Sequence, residues 1–185
     1  LQPGGRHAGW GTHNRLLQLG GGTYLELLAP DPEQPAPAAP RPFGLDAAEV
    51  RARIAERPRL LHFVVRTGAI DAALPALGYD PGPVRPMARG ALRWRITVRP
   101  DGEPAGGGLL PTLIQWDETP GSGHPARSLP EQGIALERLE VDAPAALAGL
   151  LRGLEAVDPR IRIAEADAPA LRARLAGPAG ALLLD

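Results

Sequence analysis

The chain has 185 residues, with 20 basic against 21 acidic side chains and a formal net charge of −1. That balance argues against a nucleic-acid or anionic-membrane binder, which would show a basic excess. Cysteine is absent, which excludes disulfides, thiolate catalysis and cysteine-held zinc, so any metal would need His, Glu, Asp or Gln ligands.

Apolar residues make up 44% of the chain, enough for a core in one or two compact domains. Every basic residue is Arg; because these are scattered, the bias reads as compositional. No apolar run approaches the roughly 18 residues that span a bilayer, and no signal-like segment is present. The expectation is a soluble, cytoplasmic protein of bacterial type.

In chain order, "QPGGRHAGWG" reads as a loop. A loop this rich in Gly normally follows an element, so the start at Leu1 suggests a trimmed chain. "THNRLLQLGGGTYLELLAP" reads as two strands joined by a Gly turn. "DPEQPAPAAPRP" is an extended connector, because Pro breaks both helix and central strand. "LDAAEVRARIAER" is a helix with Asp46 as N-cap and Glu49 completing a box-like start. "RLLHFVVRT" is a strand buried on both faces, and "AIDAALPALGY" a short helix interrupted at Pro75.

"GPVRPMARG" is a weak strand. In "ALRWRITVRP", Leu92, Trp94, Ile96 and Val98 share one face, and Arg93, Arg95, Thr97 and Arg99 the other. "LLPTLIQWD" and "IALERLEV" are further strands. "APAALAGLLRGLEA" is a helix with Asp142 as cap and a stripe of Leu147, Leu150, Leu151 and Leu154. "RIRIAEA", "ALRARLAG" and "GALLLD" are short strands.

Residues 59–118 thus read β-α-β-β-β, and the tail repeats that order. Residues 13–30 read as the last two strands of another such unit. The expected fold class is α+β, built on a repeated βαβββ module whose first copy lacks its initial βα. The expected divisions are 1–58, a partial first module with linker and helix; 59–132, the second module; and 133–185, a βαβββ-like extension.

Three polar residues interrupt apolar strands: Glu26, His62 and Gln115. By alternation each points away from the greasier face, with Leu25/Leu27, Phe63/Val65 and Ile114/Trp116 packing behind. A sheet face bearing Glu, His and Gln is what a metal site requires. Each also has a plainer explanation. Glu26 could pair with Arg15 or Arg66, His62 could be a hydrogen-bonded core residue, and Gln115 could bond a loop.

The stretches "GRHAGWGTHNRLLQLGGGTYLELLAPDPEQP", "HFVV", "RGALRWRITVRPDGEPAGGGLLPTLIQWD" and "HPARSLPEQG" resemble the glyoxalase-like branch of the vicinal oxygen chelate superfamily. The resemblance covers residues 3–135 well and the tail more loosely. It implies two βαβββ modules forming a cupped mixed sheet around a divalent ion such as Zn, Ni, Fe or Mn, with no organic cofactor. Glu26, His62 and Gln115 would be three of four ligands, with Glu26 also moving a proton. The fourth would lie on the strand missing from the first module.

Other candidates are His7 and His13 around Trp10, and Arg127, which could fork onto a substrate carboxylate. Surface loops are the better explanation of both. Pocket walls are expected from His13, Tyr24, Trp94, Trp116 and Phe43. "GGG" at 106–108 is a turn rather than a phosphate loop, and Ser122 and Ser128 lack the setting of a nucleophile.

The resemblance implies a metal-dependent enzyme acting on a small oxygen-chelating substrate, by isomerisation, epimerisation, lyase chemistry or ring-cleaving (dioxygenase) oxygenation. Alternatives are a metal-free small-molecule binder of the same fold and a member retained for its fold alone. Neither nucleic acid nor membrane is expected as a partner; the resemblance leaves room for a homodimer.

Overall fold

Three antiparallel strands open the chain in the computed structural model, which describes residues 1–119 and 123–185. They are β1 (Gln2–His7), β2 (Thr12–Gln18) and β3 (Tyr24–Pro30), paired in that order. β1 corrects the expectation of a loop. Its glycines hide the alternation, but they are needed for close approach. A Cβ on Gly4 would fall 2.0 Å from Asn14 Oδ1, and one on Gly5 2.7 Å from Arg89 Cδ. Pairing with β2 shifts register between Pro3 and Gly5, a bulge at the same crowded place.

The Pro-rich connector carries no helix or strand until a 3₁₀ turn at Pro42–Gly44. Asp46 does not cap the next helix. Its carboxylate accepts from the Arg41 backbone N–H at 2.8 Å and from the Arg41 guanidinium at 2.7 Å. α1 (Ala48–Glu56) therefore starts after Ala47 without a side-chain cap and buries no residue.

The second sheet contains β4 (Val64–Arg66), β5 (Val84–Arg89), β6 (Leu92–Thr97) and β7 (Thr112–Trp116), in the order β4-β7-β6-β5. β4 runs parallel to β7, and the other pairs are antiparallel. α2 (Ile70–Ala73) follows β4 and passes into a 3₁₀ turn at Leu74–Ala76, where Pro75 removes a helix donor. β4 is much shorter than the apolar run around it: ahead of Val64, the Leu60 N–H goes to Asp185 O, Phe63 O accepts the Thr112 N–H, and His62 bonds through its ring.

The third sheet contains β8 (Ala135–Ala143), β9 (Ile161–Glu165), β10 (Ala170–Gly177) and β11 (Gly180–Leu184), ordered β11-β10-β8-β9. Its element order matches that of the second sheet, but its connectivity does not. In the second sheet the first strand lies parallel to the last; here β8 lies parallel to the next strand, β9.

The intervening helix breaks at Arg152–Gly153 into α3 (Ala145–Leu151) and α4 (Leu154–Val157). Asp142 remains in β8, bonded to Arg172, and Pro144 holds the N-cap position. Leu147, Leu151 and Leu154 pack on the core, whereas Leu150 is 39% exposed.

Two apolar clusters result. The larger joins Phe63, Leu109 and Leu110 to Leu139, Val141, Leu151 and Ile161, binding the third sheet to the second. The smaller is Trp94, Ile96, Ile114 and Trp116, with Tyr24 of the first sheet and Trp10 of its β1–β2 turn packed against it. β1 and β5 approach each other, so the first two sheets enclose a shared concave face. The third sheet is tied to the first hairpin through Leu136 N–H to Leu19 O (3.1 Å) and Arg160 to Thr23 Oγ1 (2.9 Å). Among the described residues, no helix is long and apolar enough to cross a membrane.

Leu151 is 1% exposed in the larger cluster. Leu151→Ala should therefore cost about 2–5 kcal/mol, and Leu150→Ala under about 1 kcal/mol. Urea unfolding of the two variants checks this; equal losses would contradict the packing.

Candidate functional site

Register assigns each strand residue to a face. Trp94 pairs with Trp116 and Ile96 with Ile114, on the side that meets Tyr24 and Trp10. Arg95 pairs with Gln115, on the opposite side, against α2. There Gln115 Oε1 accepts the Ile70 N–H at 2.9 Å, and Arg95 forks onto Asp71 at 2.7 and 2.6 Å. Gln115 thus serves the start of α2, and the tryptophans hold the concave face.

His62 is bonded on both nitrogens. Nε2 accepts the Thr112 N–H at 3.1 Å and lies 2.9 Å from Thr112 Oγ1. That leaves Nδ1 as the protonated nitrogen, donating to the Gly108 carbonyl at 3.2 Å. Phe43 stacks on the ring, with centroids 5.2 Å apart, and is the sole non-Gly residue at positive φ among those described. Gly108 is needed here, since a Cβ at its φ of +99° would meet Leu61 O at 2.2 Å. Burial holds the imidazole at about 4, so it is neutral at pH 7.

Glu26 lies on the concave side of the first sheet, open to water yet surrounded by protein on its remaining sides. Its Oε1 accepts from Asn14 Nδ2 at 2.7 Å. Asn14 Oδ1 in turn accepts from Arg89 at 3.1 Å, Arg89 also reaches His7 Nε2 at 3.3 Å, and His7 Nδ1 lies 3.0 Å from Thr12 Oγ1. Because guanidinium only donates, His7 Nε2 is the acceptor and Nδ1–H donates to Thr12. Desolvation raises the Glu26 carboxyl above its usual range, opposed by the Asn14 hydrogen bond and the Arg89 charge. This chain links β3, β2, β1 and β5.

Glu26, His62 and Gln115 therefore do not form a donor set for a cation in this arrangement. His62 has no free lone pair, Gln115 faces α2, and Glu26 is engaged by an amide N–H. Among the described residues, no three His, Cys, Asp or Glu side chains gather in a way that could hold a metal ion.

A cavity of about 820 Å³ opens where β4 and β7 end and β6 begins. Trp94, Trp116, Gln115 and Arg127 line it, together with Arg66, Thr67, Gly68, Arg95, Asp117 and Glu118. The tryptophan rings lie 5.1 Å apart at 36°. Tyr24 lies beside them, edge-on to His124 at 5.2 Å, and His124 is edge-on to Trp116 at 6.0 Å. His13 is exposed on the outer face of β2, away from this group. Ser128 bonds the Pro125 carbonyl, closing a turn, and Ser122 lies outside the described residues.

Asn14 and Arg89 were not legible as site residues. Asn14 had a signal, since alternation on β2 puts it on the side of Leu16, which faces Glu26. Arg89 had none, because the meeting of β1 and β5 is a tertiary event.

A complete βαβββ unit with its helix on the outer face, set edge to edge with a second sheet around a concave surface, defines a glyoxalase-type architecture. The family model described as a glyoxalase-like domain matches residues 1–154, and the chain belongs to that family, within the vicinal oxygen chelate superfamily. No curated protein and no solved structure matches it.

His7, His62 and His124 are all held at about 4, chiefly by burial, against an ordinary 6.5. The unfolded chain takes up these protons below pH 6.5, and the folded chain only near 4. Stability is therefore full above pH 6.5 and falls between 6.5 and 4, by about 3 kcal/mol at most per imidazole. Urea midpoints at pH 7.5 and 4.5 should show the drop, and His62→Gln should shrink it. A midpoint unchanged across that range would contradict the buried neutral imidazoles.

Proposed function

We propose that this glyoxalase-like chain binds a small organic molecule in the cavity at the ends of β4 and β7, with Trp94 and Trp116 as the wall for its planar apolar part. The paired tryptophans beside the cavity carry this reading. Its size falls within the range of about 300–1,000 Å³ usual for small-molecule sites, and in its otherwise mostly polar lining the two tryptophans are the large apolar side chains. Aromatic faces stack with planar ligands at little entropic cost. The bonds already made by His62 and Gln115 favour binding without a metal ion over the Zn, Ni, Fe or Mn chemistry that the resemblance suggests.

A second reading is an enzyme in which Glu26 moves a proton. It rests on the raised carboxyl and on Asn14 fixing one oxygen, which leaves the other to act as a base. In that case Glu26→Gln would retain ligand binding and lose turnover.

Tryptophan fluorescence titrated with 1-naphthalenemethanol, a neutral planar probe, tests the binding reading. Saturable quenching is expected, weakened about 10-fold or more in Trp116→Ala and insensitive to added divalent ions. Stoichiometric metal in protein purified without chelator, together with no saturable quenching, would overturn it.

A further inference from the structure

The cavity is lined by three guanidiniums, and they are not equivalent. Arg95 is neutralised by its fork onto Asp71 at 2.7 and 2.6 Å. Arg127 meets Glu118 at 3.4 Å. Arg66 has no carboxylate and no hydrogen-bond partner among the described residues. It pairs with Ile114 across β4 and β7, so it projects to the side of Ile114 and Trp116. A Cβ on Gly22 would lie 3.9 Å from its Nη2, so the guanidinium reaches across to the first hairpin.

A second observation is independent of charge. Trp116 Nε1–H is buried and has no hydrogen-bond acceptor among the described residues, although Trp116 lines the same cavity. Buried donors are nearly always satisfied, and an orphan calls for an explanation such as an acceptor from outside the chain. The acidic neighbours do not supply one. Asp117 Oδ1 accepts the Thr119 N–H at 3.0 Å, and Glu118 faces Arg127.

We infer that the ligand of this cavity is an aromatic organic acid, its ring against Trp94 and Trp116 and its carboxylate forked by Arg66. The inference rests on the proposed binding site and goes on to name its ligand class. Guanidinium presents paired donors that match the two carboxylate oxygens, which an alcohol or an amide cannot use equally.

The test compares 1-naphthoate with 1-naphthalenemethanol, which share a ring system and differ in the anion, by calorimetry on the full chain. Naphthoate is expected to bind about 10-fold or more tighter, as a hydrogen bond to a charged group allows. Arg66→Ala should abolish that preference, and Arg66→Lys should keep part of it. Arg66 is exposed, so both variants should fold, which thermal melts verify. Equal affinities in the native chain, or a preference that survives Arg66→Ala, would overturn the organic-acid inference while leaving the cavity as a binding site. Binding of neither probe would overturn the site itself.

Discussion

The His62 ring receives the Thr112 N–H at 3.1 Å and gives its own Nδ1–H to the Gly108 carbonyl at 3.2 Å. Thr112 opens β7 and Gly108 lies just ahead of it, whereas His62 sits just ahead of β4. The ring therefore locks the start of β4 alongside the start of β7, where Val64 begins its parallel register with Thr112. A parallel pair cannot be set by a tight turn, and its ends lie far apart in sequence. Side-chain bonds at the entry to the pair fix what a hairpin would otherwise fix. Phe43 covers the open face of the ring, and glycine at position 108 lets the two segments touch.

Everything at the candidate site follows from that register. With Val64 opposite Thr112, Arg66 falls opposite Ile114, on the side of Trp116. A slip of one residue would turn Arg66 toward α2 and bring Val65 into the concavity. The same register sends Gln115 to the helix side, where it satisfies the first N–H of α2. The second sheet thus separates its tasks by face: polar bonding to α2 outside, aromatic surface inside. The first sheet adds a polar chain from Thr12 through His7, Arg89 and Asn14 to Glu26, which holds together two sheets that share few backbone bonds.

Much of the fold was legible because its signals are local. Alternation marked β6, the triple glycine at 20–22 marked the first hairpin, and the run of prolines marked the connector. Family membership was legible from whole stretches such as "YLELLAP". Three kinds of feature were not. β1 hides its strand pattern because Gly4 and Gly5 are there for Asn14 and Arg89. Asp46 and Asp142 look like helix caps, but each is taken by an arginine, Arg41 and Arg172. The third sheet repeats the order of elements without the order of strands, and order along a chain does not encode which strands pair. For the site, alternation put Gln115 off the greasy face, where it bonds α2; His62 lies ahead of β4, stacked on Phe43, where alternation does not apply. It could not tell that the aromatic face is the concave one, because that depends on which side the first sheet occupies.

The central claim is that His62 is a structural clamp and the tryptophan face is the binding surface. Nitrogen NMR of the imidazole of His62 during a zinc titration tests it most directly. The account predicts a neutral, Nδ1-protonated ring whose two nitrogen signals do not move at equimolar zinc. A shift of either nitrogen on adding zinc, with a parallel rise in thermal stability, would contradict it and return His62 to the role of metal ligand.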